Sequence, residues 1–155
     1  MMKRKYFPIP KCELELYTSD NYNTIVEKIG KYATDKETAR NRLYKIPEYL
    51  FIMEMSENGF VLIPEQSNHY GKNNGVMPHL NVTYTEVDEK NVLKVLAYSD
   101  MIVPISGFIW ICTLLCIFAG KYISGIVIFA IANTIMQIAF WLPCQKAISE
   151  LEKLL

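Results

Sequence analysis

The sequence predicts an α+β fold: a small antiparallel sheet domain of order β-α-β-β-β-β, followed by a C-terminal transmembrane helical hairpin. Three observations carry this. Two apolar runs, Met101–Ala119 and Tyr122–Leu142, are joined by Gly120-Lys121, and neither contains an Asp, Glu, Lys, Arg or His. Several short stretches before them alternate apolar and polar residues, the period of a strand. One stretch, near Tyr22 to Ala33, has the period of a helix.

At about 1.5 Å per residue, runs of roughly 20 residues cross a hydrocarbon core of about 30 Å. The short connection allows only an antiparallel pair. Two helices apolar on every face are hard to wrap in a soluble chain of 155 residues. The runs lie late in the sequence, unlike a signal peptide. The chain therefore divides into a cytoplasmic α+β domain (1–100), a two-helix transmembrane hairpin (101–142) and an amphipathic C-terminal tail (143–155).

Lys plus Arg and Asp plus Glu number 16 each. That balance argues against nucleic acid as a partner, which calls for a basic surplus. The four cysteines, Cys12, Cys112, Cys116 and Cys144, have no zinc-site or CxxC spacing. They read as small apolar packers, with lipidation of Cys144 at the membrane edge as the alternative.

The prolines of Tyr6-Phe7-Pro8-Ile9-Pro10 make the start extended. Lys3-Arg4-Lys5 reads as a solvated start, though three cations would also suit an anionic membrane surface. Cys12, Leu14 and Leu16 alternate with Glu13 and Glu15, a half-buried strand. Thr18-Ser19-Asp20 offers N-cap oxygens. Tyr22, Ile25, Val26, Ile29, Tyr32 and Ala33 then place an amphipathic helix over about 20–33. The polar stretch Thr34–Lys45 either extends that helix or forms a loop.

Tyr49–Met55 and Phe60–Ile63 flank an Asn-Gly pair, a strong hairpin signal because both residues tolerate φ > 0. With Asn58-Gly59 as the loop, Met55 faces Leu62 and Glu54 faces Ile63. Phe51, Met53, Met55 and Leu62 then share one face, and Pro64 ends the pairing. Glu65–Met77 is a long loop, where binding function concentrates. Its candidate binding residues are Asn68, His69, Tyr70, Asn73 and Asn74. His69 and His79 are the only histidines and lack further ligands at metal-site spacing, so no metal and no cofactor is expected.

Leu80, Val82 and Tyr84 form the buried side of the next strand, and Val92–Tyr98 is its partner. A four-residue loop at Asp88–Asn91 pairs Val87 with Val92, Thr85 with Lys94, Tyr84 with Val95 and Val82 with Ala97, matching buried with buried. Asp100 is placed to cap the first span, whose opening turn tolerates Pro104.

Within the hairpin, Gln137 comes level with Ile105-Ser106 and Asn133 with Ile109-Trp110. Polar residues in a span face protein, so Ser106, Asn133 and Gln137 are candidates for an intramembrane polar contact, within the hairpin or with a protein partner or second copy. In the tail, Ile148, Leu151 and Leu155 share a face that continues the second helix or lies on the sheet or headgroups. Tyr98, Tyr122 and Trp141 sit where interfacial aromatics belong. Fifteen of the 16 basic residues flank the hairpin and only Lys121 lies at its turn, which puts domain and tail in the cytoplasm and the hairpin in the inner or plasma membrane.

Asn58-Gly59-Phe60, a loop, Asn74-Gly75-Val76-Met77-Pro78-His79-Leu80, a further strand pair and two spans resemble a group of small bacterial two-span membrane proteins. Its members have an N-terminal antiparallel-sheet domain and an Asn-x-x-x-Pro segment. An Arg common before that Asn in the group is Asn73 here. The resemblance implies architecture and no activity.

No nucleophile elbow, phosphate loop or metal motif is present. The function expected is a membrane-anchored interaction module without catalytic activity, its partners the lipid bilayer and a protein or homo-oligomer through the hairpin. The alternative is a lipid- or small-ligand-binding domain, or a small enzyme at the membrane surface, drawing acid–base groups from Glu54, Glu65, Glu86 and the two histidines. Transport by an oligomer of hairpins is a third reading.

Overall fold

The computed structural model describes residues 2–5, 9–35, 50–56, 59–64, 78–87 and 90–155. Among them the chain forms strands β1 (Met2–Lys5) and β2 (Lys11–Thr18), helix α1 (Tyr22–Gly30), strands β3 (Ala33–Thr34), β4 (Phe51–Ser56), β5 (Gly59–Pro64), β6 (His79–Val87) and β7 (Lys90–Tyr98), then helices α2 (Ile102–Phe118) and α3 (Tyr122–Leu154). The class is α+β, as the alternation implied. The sheet order is β1-β2-β7-β6-β5-β4-β3.

The expected topology needs correction at both edges of this sheet. Met2–Lys5 adds an antiparallel edge strand on β2. The two-residue β3 pairs parallel with β4, which makes the sheet mixed rather than antiparallel. The parallel pair follows from α1, which carries the chain from β2, next to one edge, to the opposite edge. Neither edge strand has an apolar alternation to announce it; each is held by backbone pairing with a neighbour that does.

α1 is shorter than the spacing implied and is capped elsewhere. Asn21 is the N-cap, its Oδ1 accepting from the Thr24 backbone N–H at 2.9 Å, the usual N3 donor. Thr18 and Asp20 are used otherwise. Thr18 Oγ1 accepts from the Asp20 N–H, and the Asp20 carboxylate pairs with Lys28. At the far end Tyr32 and Ala33 leave the helix, and Ala33 enters β3.

Both sheet hairpins pair two residues away from the expected register. Met55 lies opposite Phe60 and Glu54 opposite Val61, with Ser56 opposite Gly59. Val82 lies opposite Val95, Tyr84 opposite Leu93 and Val87 opposite Lys90. The ladders thus close to within two residues at both turns, which adds backbone pairs. A slip of two leaves every side chain on its own face, so alternation cannot detect it. The buried face consequently holds: Cys12, Ala97, Leu80 and Leu62 form one cross-strand row, and Leu14, Val95, Val82 and Phe60 the next.

That face is covered by α1, through Ile25 and Ile29, and by the C-terminal third of α3. There Phe140, Cys144, Ala147, Ile148 and Leu151 recur at helical spacing and are nearly inaccessible. They join the sheet residues in one core with Ile102, Ile109 and Met136. α3 is a single 33-residue helix with Pro143 inside it. Residues 143–154 are therefore the end of that helix, with their apolar side on the sheet. Pro143 has no N–H to give the Ala139 carbonyl, a break in the ladder at the level where α3 passes from α2 to the sheet.

α2 and α3 run antiparallel and side by side. Ile102, Ser106, Ile109 and Thr113 are the buried residues of α2, spaced four, three and four apart. Trp110 meets Phe129 with ring centroids 4.9 Å apart. A Cβ on Gly125 would lie 3.3 Å from the Thr113 carbonyl oxygen and from Cys116 Cβ, so glycine lets the backbones close up. The turn is a Schellman motif: the Gly120 N–H donates to the Ile117 carbonyl and the Lys121 N–H to the Cys116 carbonyl, both at 2.9 Å. Gly120 has φ of 75°, in the left-handed region, with open space where a Cβ would go. Gly120→Ala is accordingly expected to cost only the backbone strain, about 1–2 kcal/mol, read as a lower unfolding midpoint in detergent with helix content intact.

Candidate membrane interface

The surface of α2 and α3 is unlike the rest of the molecule. Of the twenty large hydrophobic residues exposed among the described residues, seventeen lie between Met101 and Leu142. They surround both helices: Phe108, Ile111, Leu115 and Phe118 on α2, and Ile123, Ile126, Ile131, Ile135, Ile138 and Leu142 on α3. Monomeric soluble proteins rarely expose an apolar patch above a few hundred Å². Beyond Leu142 the exposed side of α3 turns polar, with Gln145, Lys146, Ser149, Glu152 and Lys153. Exposed Asp100 lies two residues before the start of α2.

α3 is long and apolar enough to cross a membrane; α2, at 17 residues, is a shorter apolar helix. Only 17% of the most apolar window of α3 is buried, where the core helix of a soluble protein would be mostly buried.

The polar residues of this belt have distinct settings. Ser106 is buried on the α2 face toward α3. Gln137 is half-buried and its Oε1 accepts from Trp141 Nε1 at 3.0 Å, one turn along the same helix. Thr113 and Thr134 donate to the carbonyls four residues back, at 2.8 Å. Asn133 is half-buried, and no side-chain hydrogen bond to it is found among the described residues. None of the four cysteines is joined in a disulfide, and Cys12 and Cys144 are buried in the core.

At the sheet end of the belt lies a small polar cluster. Tyr98, at the end of β7, pairs with His79, at the start of β6, and their rings meet edge to face with centroids 5.6 Å apart. His79 Nδ1 stands 3.5 Å from an Asp100 carboxylate oxygen, an ion pair when the imidazole is protonated. Asp100 therefore faces the sheet and does not cap α2: the N-cap residue is Met101, without a side-chain hydrogen bond. The Ile102 N–H is met by the Ser99 carbonyl instead. The phenol of Tyr98 is raised above its ordinary 10.0 by desolvation first, then by the negative charges of Asp100 and Glu54.

A phenol raised on folding keeps a proton that the unfolded chain releases. Its contribution to stability is complete below about pH 10 and falls as pH rises through the folded value. Tyr98→Phe is expected to flatten the alkaline decline of stability relative to the parent, measured as denaturation midpoints above about pH 10. An identical decline in both proteins would refute this role.

Of these groups, Glu54 lies near enough to Tyr98 for its charge to act on the phenol that His79 meets edge to face. Glu86 is at the other end of β6 from His79, seven residues and roughly 23 Å away at strand rise. Glu65 lies outside the described residues, as do the loop candidates Asn68, His69, Tyr70, Asn73 and Asn74. Among the described residues, no group of three or more His, Cys, Asp or Glu could hold a metal ion. The His79–Asp100 contact was not legible in the sequence, because it depends on which residues of β6 and β7 end level with each other. The chain matches no known family, no curated protein and no solved structure.

Proposed function

We propose that this is an integral membrane protein in which α2 and α3 form a transmembrane hairpin, holding the α+β body against the cytoplasmic face as a non-enzymatic interaction module. The apolar belt carries the reading: sixteen exposed large hydrophobics on two adjacent helices have no place in water. At about 1.5 Å per residue, Tyr122–Leu142 reaches roughly 31 Å and the 17 residues of α2 roughly 26 Å, both within the spanning range. The basic residues favour the stated orientation, since only Lys121 lies at the turn.

The shared core gives the module its character. α3 is both the second span and part of the sheet's cover, so the body is fixed to the bilayer rather than tethered. A rigid platform at a set height suits presentation of a surface to a partner, which is the function proposed.

The test is membrane topology in the native host membrane. The protein should resist extraction with alkaline carbonate. A cysteine replacing Lys121 should react with an impermeant thiol reagent from outside, and a cysteine replacing Lys153 only after the membrane is opened. Carbonate-soluble protein would refute the anchor. Labelling of Lys153→Cys from outside would invert the orientation.

A further inference from the structure

We propose that the protein self-associates in the membrane as a parallel dimer through one stripe of α3, with Asn133 of one copy hydrogen-bonded to Asn133 of the next. The inference rests on the membrane reading above and names the partner at that interface.

The stripe is Ile123, Ile126, Ala130, Asn133 and Gln137, spaced three, four, three and four apart, the a/d pattern of a left-handed helix pair. It lies beside the face that α3 gives to α2. Ile123 and Ile126 are 80% and 64% exposed and Ala130 is exposed; Asn133 and Gln137 are half-buried. The stripe is therefore open along Ile123, Ile126 and Ala130 and partly covered at Asn133 and Gln137.

Asn133 is what makes this stripe a contact rather than a lipid-facing side. It sits one residue past the midpoint of Tyr122–Leu142, so its amide lies near the bilayer centre, where no water can serve it. Gln137 has Trp141 as a partner, whereas Asn133 has no side-chain hydrogen bond among the described residues. An amide is both donor and acceptor and can satisfy itself against a second amide. Copies inserted in one orientation carry Asn133 at the same depth. A twofold axis along the membrane normal therefore brings the two amides together with no further adjustment. Ala130, one turn away, has little side chain to hold the helices apart. A lone Asn at an a/d position also sets register and favours a defined small oligomer.

The test uses full-length protein, labelled separately with donor and acceptor fluorophores and reconstituted into phosphatidylcholine vesicles over a range of protein-to-lipid ratios. The parent should show saturable energy transfer fitted by a dimer. Asn133→Leu should weaken dimerisation roughly tenfold, and Asn133→Gln should keep most of it. Ile135→Ala, on the opposite side of α3 and 61% exposed, should leave it unchanged. Carbonate extraction of the same vesicles separates the two readings. Protein that leaves the membrane defeats both. Protein that stays, but transfers no more than random encounter predicts, defeats the dimer alone. Equal transfer in the parent and Asn133→Leu, equal loss in Ile135→Ala, or a foreign protein co-purifying in stoichiometric amount in place of the second copy would each also overturn it.

Discussion

Replacing Gly59 with alanine is expected to destabilise the sheet by more than about 3 kcal/mol. Gly59 opens β5 and lies opposite Thr83 of β6. A Cβ built there would fall 2.0 Å from the Val82 carbonyl oxygen, 3.0 Å from its carbon and 3.2 Å from Thr83 Cα. All three are backbone atoms, so no side chain can rotate away. β6 lies between β5 and β7 and pairs with β7 along its whole length, from His79 to Val87. It can retreat only by breaking ladder hydrogen bonds in the core of the sheet. Gly30→Ala is the matched control, since nothing lies within 4 Å of its Cβ position. Denaturant titration of both variants in mild detergent, followed by circular dichroism, checks the difference. A Gly59→Ala midpoint within about 0.5 kcal/mol of the parent would show that the strand approach is looser than described.

The second large effect concerns the end of α3. Deleting residues 144–155 is expected to abolish folding of the sheet, and residues 1–100 expressed alone are expected to aggregate. Cys144, Ala147, Ile148 and Leu151 are each at most 3% exposed, and they lie on the inner face of the sheet with α1. Without them the core they share with Ala97, Leu80, Val95 and Val82 loses part of its cover. A single truncation, Leu151→Ala, should cost about 2–5 kcal/mol, as large-to-small changes in a packed core do. Leu151→Asp should be worse, because it buries an unpaired charge. Protease resistance of the body in membrane vesicles reports both. A stable, protease-resistant 1–100 fragment would mean that the sheet and α1 close a core without α3.

The two glycines at turns show how differently a sequence signal can be satisfied. Asn58-Gly59 looks like a turn glycine chosen for positive φ. Yet Gly120 is the only glycine with positive φ among the described residues, and Gly59 is required because β6 passes too close for a side chain. The residue type and the local hairpin were legible, but the reason was not, since it comes from a strand more than twenty residues away. The registers behaved alike. Alternation identified Cys12 and Leu14 of β2, Leu62 of β5 and Leu80 and Val82 of β6 as inward, and a two-residue slip changes none of them, whereas the fully buried Phe60 and Leu93 were not singled out.

The candidate interface divides along the same line. The apolar belt could be read directly, because 19 and 21 residues without a charge are a one-dimensional property. Ser106, Asn133 and Gln137 could be picked out for the same reason: each is polar within an apolar run. Which of them has a partner could not, since that depends on side-chain geometry such as the Gln137–Trp141 contact. The His79–Asp100–Tyr98 cluster was invisible for a related reason, as it joins the ends of two strands and the entry to a helix.

What the chain determined alone was therefore whatever repeats along it: the strand faces, the amphipathic side of α1, the charge-free apolar runs and the apolar stripe of the last residues. Periodicity and composition are local, and burial follows them because apolar surface must leave water. What only the tertiary structure decided was placement between elements. The edge pairing of β1 and the parallel β3 depend on which backbone groups remain free after the central strands have paired. The covering of the sheet by α3 depends on Ile148 and Leu151 meeting an apolar sheet face before any other, a competition that no single stretch of sequence records.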